Sequence, residues 1–355
     1  LQEWGYITPK TATWLTARVG KPLFSGNIWA YQEGDLYWAY SPLVRVEGPL
    51  GEAILLETLL LSIYNHDTAV ASAAARMVLA ASGRPLIEMG SRRTEEHAAV
   101  SAARAAYIAG FARTSNMAAR EEWGIPTSGT AAHAFTLAHE NEEDAFLSQL
   151  RTWGQDTTLL VDTYDTPQGI KRAVHAANSL GFAGPGAIRI DSGDLAVETQ
   201  EARRLLDSLD AEKTRIVVSS DLDEFLIAEL ATSPIDGYGA GTRVVTGSGH
   251  PTAGFVYKLV EINGRPVAKK SHGKISVGGR KFPYRRGEKE FYTLTGDIKG
   301  EPLQCLYIED GKIVPGEEPS LQEVRIFTQN VLNKLPSELT QVSAGSAGQI
   351  VLKEE

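Results

Sequence analysis

Short apolar runs alternate with amphipathic stretches through the middle of the chain, from about residue 53 to residue 250. The apolar runs occupy residues 85–90, 124–129, 157–163, 186–191, 215–220 and 235–239. Between them, apolar residues recur at spacings of three and four, which predicts helices over 94–111, 135–150, 166–180 and 194–209. This repeated βα unit predicts a parallel sheet wrapped by helices.

The two ends of the chain have a different pattern, typical of antiparallel β structure. Aromatic and β-branched residues are broken by turn residues over 26–46. Asn263-Gly264 and Asp310-Gly311 each stand between two apolar runs, which is the strongest short hairpin signal. We therefore predict a small, discontinuous, β-rich α+β domain built from residues 1–50 plus 256–355, and a separate α/β domain of residues 51–255.

Polar residues and glycines follow each apolar run, where a strand would end. They are Ser91-Arg92-Arg93, Ser128-Gly129-Thr130, Asp162-Thr163, Asp191-Ser192-Gly193-Asp194, Ser219-Ser220-Asp221 and Gly239-Ala240-Gly241-Thr242. In a closed α/β barrel the carboxyl ends of the strands open onto one face, where active sites lie. An open doubly wound sheet gathers them less completely, so we favour an irregular, TIM-like α/β barrel that carries the active site.

Composition narrows the class of protein. The chain has 355 residues, of which 43% are hydrophobic and 22% charged, as in a folded globular protein. Its net charge of −9 provides no general positive field, which argues against nucleic acid as a partner. The lone cysteine, Cys305, excludes intramolecular disulfides and predicts a reducing, cytoplasmic location. The most apolar run, 53–63, is too short to span a membrane, because a spanning helix needs about 20 residues.

The glycine-rich segment after the last run is a candidate phosphate loop. Gly237, Gly239 and Gly241 alternate before Thr242, and glycines allow backbone N–H groups to approach a phosphate. The alternative is an ordinary glycine-rich turn. Arg92 and Arg93, at an earlier strand end, suit a polyanionic group, although such a pair elsewhere is usually a solvated surface.

Arg189 and Asp191 stand two residues apart, so they point to the same side of a strand. The arginine can bind a carboxylate or phosphate, and the aspartate can accept from sugar hydroxyls or hold Mg²⁺ through water. The alternative is a mutual ion pair. Asp194 is a candidate for a helix cap or a ligand contact. His133 follows a Gly-Thr turn, which leaves a structural residue, a general base and a nucleophile all open.

Together these motifs resemble the nicotinate phosphoribosyltransferase family. The resembling segments are residues 88–93, 124–135, 189–195, 217–224, 237–247 and 256–281, in the family's order. The resemblance implies the type II phosphoribosyltransferase fold, an irregular barrel beside a smaller discontinuous domain. It also implies the joining of nicotinate to 5-phosphoribosyl-1-pyrophosphate with coupled ATP hydrolysis, giving nicotinate mononucleotide and pyrophosphate in NAD salvage.

The resemblance assigns roles by position. His133 matches the histidine that ATP phosphorylates, and Arg189 matches a substrate-site arginine. Asp191 matches the residue on the ribose hydroxyls, and Arg92 the one near the pyrophosphate. The expected catalytic residues are His133, Arg189 and Asp191, with Mg²⁺ held through water at Asp191. The expected substrate-binding residues are Met89, Gly90, Arg92, Arg93, Ser128, Gly129, Thr130, Ser192, Gly193, Asp194, Ser219, Ser220, Asp221, Gly239, Gly241 and Thr242, the last three forming the 5′-phosphate loop.

Two departures qualify the resemblance. Family members usually begin with an Asp-Xaa-Tyr segment whose tyrosine stacks on the ring from the neighbouring subunit of a homodimer with shared active sites. No such segment precedes Leu1, so we expect either a fragment or an incomplete site. Met89 stands where many relatives have an aromatic ring. The alternatives are a relative that uses nicotinamide or quinolinate, a non-catalytic homologue, and an unrelated phosphate-binding barrel enzyme.

Overall fold

The computed structural model describes residues 3, 5–271, 274–316, 318–342 and 351–354, which form a mixed α/β protein. Residues 272 and 273, part of the resembling segment 256–281, lie outside the described residues. The helices are α1 (Pro9–Thr16), α2 (Leu50–Ala81), α3 (Glu96–Ala109), α4 (Met117–Trp123), α5 (His133–Leu137), α6 (Glu142–Trp153), α7 (Thr166–Ser179), α8 (Leu195–Ser208), α9 (Glu224–Glu229), α10 (Thr242–Val245), α11 (Leu321–Leu332) and α12 (Ser337–Thr340).

The strands fall into a central group and two terminal groups. They are β1 (Asn27–Tyr31), β2 (Val44–Glu47), β3 (Leu86–Glu88), β4 (Arg113–Thr114), β5 (Thr158–Leu160), β6 (Ala187–Ile190), β7 (Arg215–Ser219), β8 (Gly237–Ala240), β9 (Glu261–Ile262), β10 (Arg265–Pro266), β11 (Lys270–Ser271), β12 (Lys274–Ile275), β13 (Phe282–Arg286), β14 (Lys289–Thr293), β15 (Glu301–Pro302), β16 (Gln304–Glu309), β17 (Lys312–Ile313) and β18 (Leu352–Lys353). Short 3₁₀ turns cover Ser91–Arg93, Leu230–Thr232 and Gly247–Gly249.

The chain divides into two compact units. Counting only described residues, the first comprises Leu1–Ile63, Phe255–Pro319 and Ser346–Glu355, and the second comprises Tyr64–Gly254 and Ser320–Gly345. The division differs from the sequence-based one in two places. It falls inside α2 rather than at residue 50, and it puts residues 320–345 with the central unit. The reason for the second difference is Arg325 of α11, whose guanidinium donates to the main-chain carbonyls of Tyr107, Gly110 and Phe111 at the end of α3.

A curled parallel sheet, half of a barrel, forms the centre of the second unit. Its strand order is β4-β3-β8-β7-β6-β5, and all of its neighbours run parallel. Leu86, Ile188 and Tyr238 are almost fully buried between this sheet and its helices. Among the described strands, β4 and β5 each pair on one side only, so closure into a full TIM-like barrel stays a prediction.

Five of the six predicted apolar runs contain a strand, and the run 124–129 does not. That run makes only an isolated bridge, in which Thr127 pairs with Thr114. The predicted helix over 135–150 is also wrong as a single element. Asn141 begins a new helix there, because its side-chain oxygen accepts from the N–H of Asp144 at 3.0 Å and caps α6.

The first unit contains a four-stranded sheet in the order β17-β16-β1-β2, which joins the two ends of the chain. Both predicted hairpins are confirmed: Asn263 and Gly264 have φ values of 49° and 75°, and Asp310 and Gly311 have 49° and 74°. Such left-handed pairs match the twist of a two-residue hairpin. A second sheet of this unit has the order β15-β13-β14-β18.

Two long helices were not expected from the periodicity. Helix α2 has 32 residues, and its first half appears in the sequence only as an apolar run. Helix α11 begins with a capping box between Ser320 and Glu323. None of the helices in the described part of the chain is both long and apolar enough to cross a membrane.

Candidate active site

The polar strand ends of β3, β5, β6, β7 and β8 lie at one edge of the central sheet, because parallel strands end on the same side. The structure therefore brings most of the predicted site residues to one edge. The best-connected group consists of Arg189, Asp191, Ser219 and Thr130, which come from three separate segments of the chain.

Arg189 is the centre of this group. Its Nε donates to Ser219 Oγ at 2.6 Å, its Nη1 to Thr130 Oγ1 at 2.7 Å and its Nη2 to Asp191 Oδ1 at 2.7 Å. Its side chain is largely buried. The mutual Arg–Asp pair that the sequence left open is present, and each of the three guanidinium nitrogens already has an oxygen partner.

Asp191 is held as a carboxylate. Burial works to raise its pKa, but the hydrogen bond from Ser219 and the charges of Arg189 and His133 outweigh burial and lower it. An opposite charge and a hydrogen bond to the ionised form both favour that form. Asp191 is therefore anionic near neutral pH, with only one oxygen committed to Arg189 and Ser219.

His133 begins α5 and faces this carboxylate. Its Nε2 lies 3.9 Å from Asp191 Oδ2, and its Nδ1 lies 3.2 Å from Thr163 Oγ1. The side chain is 41% exposed, so a ligand can reach it. Thr163 thus contacts Nδ1, and Nε2 is the ring nitrogen that lies toward Asp191.

Asp162 is a site residue that the sequence analysis noted at a strand end but did not assign. Its Oδ2 accepts from the N–H of Asp191 and from Ser192 Oγ, both at 2.8 Å. Its Oδ1 is buried and has no hydrogen-bond partner among the described residues. Asp162 thus brings a second carboxyl group to this edge, hydrogen-bonded to the main chain of Asp191.

The turn after β3 packs tightly against the glycine loop after β8. The N–H of Met89 donates to the carbonyl of Ala240 at 2.7 Å. A Cβ added at Gly239 would lie 2.8 Å from Met89 Sδ, and one at Gly241 would lie 3.1 Å from the carbonyl oxygen of Met89. A side chain at Gly239 would displace the end of the Met89 side chain, and one at Gly241 would push on the main chain of Met89.

The arginines near these turns differ in their partners. Arg92 and Arg93 lie exposed on the 3₁₀ turn, and neither has an ion pair among the described residues. Arg243, which was not among the predicted site residues, follows the glycine loop and forms an ion pair with Asp221 at 3.4 Å through its Nε. Its Nε is buried without a hydrogen-bond partner in the described part of the chain.

The remaining predicted residues are placed as follows. Asp194 caps α8, with Oδ1 accepting from the N–H groups of Ala196 and Val197. Gly193 has a φ of +86° in the turn before it. Gly90 is buried, Ser128 and Gly129 lie on the loop before α5, Thr242 begins α10, and Ser220 is exposed after β7.

Away from this edge, the described residues include one cluster of possible metal ligands. Among the described residues, Glu95, Glu96 and His97 are the one group of three whose ligand atoms lie within 4.8 Å of one another. All three are exposed, and Glu95 already accepts from two N–H groups as the cap of α3. Glu95 therefore acts as a helix cap, and the group lies in the first turn of α3.

Comparison with known proteins identifies the family. No protein-family model matches the chain. Nicotinate phosphoribosyltransferase pncB1 of Mycobacterium tuberculosis is 59% identical over 342 residues, covering 91% of this chain and 75% of that protein. The chain belongs to the nicotinate phosphoribosyltransferase family.

Solved structures agree with this assignment. Human nicotinic acid phosphoribosyltransferase superposes with a TM-score of 0.79 at 25% identity, covering 97% of this chain and 83% of that one. Nicotinate-nucleotide pyrophosphorylase from Pyrococcus furiosus gives a TM-score of 0.78 at 28% identity, covering 88% and 81%. Both comparisons extend over nearly the whole chain, so the fold resemblance is not confined to the central sheet.

Proposed function

We propose that this protein is a nicotinate phosphoribosyltransferase. It joins nicotinate to 5-phosphoribosyl-1-pyrophosphate and releases nicotinate mononucleotide and pyrophosphate. The observation that carries the proposal is the charge arrangement at one sheet edge: an ionised Asp191 held by Arg189, with Arg92 and Arg93 at the same edge and without acidic partners among the described residues. The names of the relatives above support the same reaction.

The reaction breaks the bond between the anomeric carbon and pyrophosphate and forms a bond from that carbon to the ring nitrogen of nicotinate. The carbon develops oxocarbenium character, so positioning and charge stabilisation matter more than a strong base. In this proposal Asp191 accepts from the ribose hydroxyls, Arg92 and Arg93 bind the pyrophosphate, and the loop of Gly239, Gly241 and Thr242 binds the 5′-phosphate.

ATP hydrolysis is coupled through His133. The Nε2 lone pair attacks the γ-phosphorus of ATP, a phosphorus–nitrogen bond forms, and ADP leaves; water later cleaves that bond and releases inorganic phosphate. The exposure of His133 and the engagement of its Nδ1 by Thr163 support this assignment. Phosphorylation adds negative charge beside Asp191, which changes the electrostatics of the substrate site.

Two carboxyl groups at this edge support Mg²⁺ as the bound ion. Asp162 Oδ1 is buried without a partner, and the Oδ2 of Asp191 is not bound to Arg189. Carboxylate oxygens are the ligands that Mg²⁺ prefers, usually with several waters retained. Asp191 and Asp162 would hold the ion, and the bound ion would supply charge stabilisation to the pyrophosphate leaving group.

A homodimer with shared active sites is part of the proposal. Apolar side chains stay exposed along the first half of α2: Leu50, Ile54, Leu55, Leu59 and Ile63. Exposed apolar clusters of this kind are typical of protein interfaces. They support a second copy of the chain as the partner.

Pyrophosphate release measured with four substrate combinations tests the function. The protein is expected to release pyrophosphate from phosphoribosyl pyrophosphate with nicotinate, more strongly with ATP, and not at a comparable rate with nicotinamide or quinolinate. Equal rates with nicotinamide contradict the substrate assignment.

The phosphohistidine is tested by incubating the protein with γ-labelled ATP and measuring acid-labile label on the protein. If His133→Ala still takes up the label, His133 does not have that role.

A further inference from the structure

Glu88 is a buried carboxylate at the end of β3 that the proposed reaction does not use. The residue is 1% exposed, and it has no cationic partner in the part of the chain that the structure describes. Burial raises the pKa of Glu88, although hydrogen bonds from Thr114 and Gly90 oppose that effect. A buried carboxylate without a cation costs stability compared with an apolar residue, so its contacts need an explanation.

The two oxygens of Glu88 connect two neighbouring turns. Oε1 accepts from the N–H of Gly90, in the turn after β3. Oε2 accepts from the hydroxyl of Thr114 at 2.5 Å, at the end of β4. The main-chain carbonyl of Glu88 also accepts from the N–H of Ser115 at 2.8 Å. Glu88 thus connects the turn after β3 to the end of β4 through both its side chain and its main chain.

Asn116 makes a second connection between the same turns. Its N–H donates to Thr114 Oγ1 and its Nδ2 donates to Ser91 Oγ, each at 3.0 Å. Its Oδ1 accepts from the N–H of Ala119 at 2.9 Å, which anchors it to the start of α4. Ser91 is the first residue of the 3₁₀ turn that carries Arg92 and Arg93.

The same turn rests on the glycine loop. A Cβ at Gly90 would lie 2.8 Å from the carbonyl oxygen of Gly241. The position of Gly90 therefore sets how the arginine turn meets the loop proposed to bind the 5′-phosphate. The hydrogen bonds that Glu88 accepts therefore link the ends of β3 and β4, and the turn after β3 in turn packs against the loop after β8.

We propose that Glu88 is a positioning residue for pyrophosphate binding: its carboxylate fixes the turn of Arg92 and Arg93 against the β4 turn and the glycine loop. The inference rests on the proposed function, and the ligand concerned is the diphosphate group of the sugar substrate. Displacement of a binding group by about 1 Å can cost a large factor in rate. The carboxylate acts through geometry, because its charge is buried and both oxygens are engaged.

Thr114→Val tests the proposal with a matched control, Thr214→Val. Both threonines are buried, at 1% and 2% exposure, and each hydroxyl donates one hydrogen bond, Thr214 to the carbonyl of Pro185 at 2.8 Å. Thr214 precedes β7, at the opposite edge of the sheet. Because the Thr114 hydroxyl also accepts from the N–H of Asn116, we expect Thr114→Val to lose more in melting temperature than Thr214→Val. Only Thr114→Val should raise KM for phosphoribosyl pyrophosphate, by roughly tenfold, the scale of one hydrogen bond to a charged group, while kcat changes far less.

Glu88→Gln and Glu88→Ala complete the test. Glutamine can accept from the N–H of Gly90 and donate to Thr114, so its KM should stay within about threefold of the wild-type value, whereas alanine should raise KM by roughly tenfold or more. An unchanged KM in Thr114→Val, or equal impairment by glutamine and alanine, overturns the positioning role while the proposed function stands. A wild-type protein that releases no pyrophosphate with nicotinate overturns the proposed function, and the role of Glu88 with it.

Discussion

At the scale of single residues, Arg189 is engaged within the protein before any substrate arrives. Its Nε, Nη1 and Nη2 each donate to a side-chain oxygen, of Ser219, Thr130 and Asp191 respectively. A planar guanidinium can satisfy three oxygens at fixed angles, whereas an ammonium cannot. Arg189 therefore contributes to the site mainly by fixing the directions of Asp191 and Ser219.

Arg189→Lys should lower kcat/KM by roughly 100-fold, because at least one charge-assisted hydrogen bond, worth about 1.5–3 kcal/mol, is lost along with the orientation of Asp191. Steady-state kinetics with phosphoribosyl pyrophosphate measures the effect. Arg203→Lys is the control, since Arg203 also forms three bonds, to Asp207 and to the carbonyls of Thr214 and Ala211. Equal activity losses in the two variants would argue against a special role for Arg189.

The raised pKa of Glu88 gives a prediction for stability against pH. The folded state binds the proton of Glu88 more tightly than the unfolded chain does, so this group stabilises the fold below its unfolded pKa and loses that contribution as pH rises through the folded pKa. Glutamine does not titrate. The free energy of unfolding of the wild type relative to Glu88→Gln should therefore increase as pH falls from 8 toward 5. Urea unfolding at a series of pH values measures it, and parallel curves for the two proteins would contradict it.

The positions of the site residues along the chain were easier to predict from the sequence than their hydrogen-bond partners were. Parallel strands place their carboxyl ends together, so the strand-end positions of Asp191 and Ser219 followed from the apolar runs, whereas Thr130 follows a run that forms no strand. The bonds of Arg189 did not follow, because Ser219 and Thr130 are 30 and 59 residues away along the chain. Asp162 was visible as a strand-end carboxylate, but its unpartnered oxygen becomes evident only in three dimensions.

At the scale of elements, the errors have physical causes. Helix α2 was missed because apolar residues such as Ile54, Leu55 and Leu56 occupy successive positions, which obscures a helical period. Strand β4 has two residues, too few to show any period. Helix α11 could have been predicted, since Ser320 and Glu323 stand at the spacing of a capping box.

The turn between β6 and α8 depends on a glycine. Gly193 has a φ of +86°, and a Cβ there would lie 3.1 Å from Glu198 Cγ. Gly193→Ala should destabilise the protein by about 1–2 kcal/mol through backbone strain and lower activity, because Ser192 and Asp194 flank it. Chemical denaturation and the pyrophosphate assay measure both effects.

Gly181→Ala is the matched control for that variant. Gly181 has a φ of +81°, and nothing lies within 4 Å of its added Cβ. It should lose a similar amount of stability from strain alone and keep its activity. A loss of activity in Gly181→Ala equal to that in Gly193→Ala would show that the turn after β6 has no particular importance.

At the scale of the whole molecule, the first unit is held together by Glu290, whose side chain is fully buried. It accepts from Arg285 Nη2 at 2.8 Å, from the N–H of Trp38 at 3.2 Å and from Ser41 Oγ. These bonds join segments that are far apart in the sequence. The network links the segment of Trp38 and Ser41 to the hairpin of β13 and β14 within this unit.

Glu290→Ala should lower the free energy of unfolding of the first unit by about 3–5 kcal/mol, the cost of leaving a buried charge and its donors without a partner. Denaturant unfolding followed by tryptophan fluorescence measures it, since Trp38 adjoins the site. Glu301→Ala, on the exposed strand β15, should change stability by less than about 0.5 kcal/mol. A small effect at Glu290 would show that the network is dispensable.

The pairing of β1 with β16 also determines when the first unit can complete its sheet during synthesis of the chain. Asp310 donates its N–H to Asn27 Oδ1 across 283 residues of chain. At ribosomal rates of ~5–20 residues per second, β1 waits roughly 15 to 60 seconds for its partner. The parallel sheet of residues 86–240 leaves the ribosome within that interval. Until β16 is synthesised, the edge of β1 that pairs with it stays open, and an open strand edge is a site of aggregation.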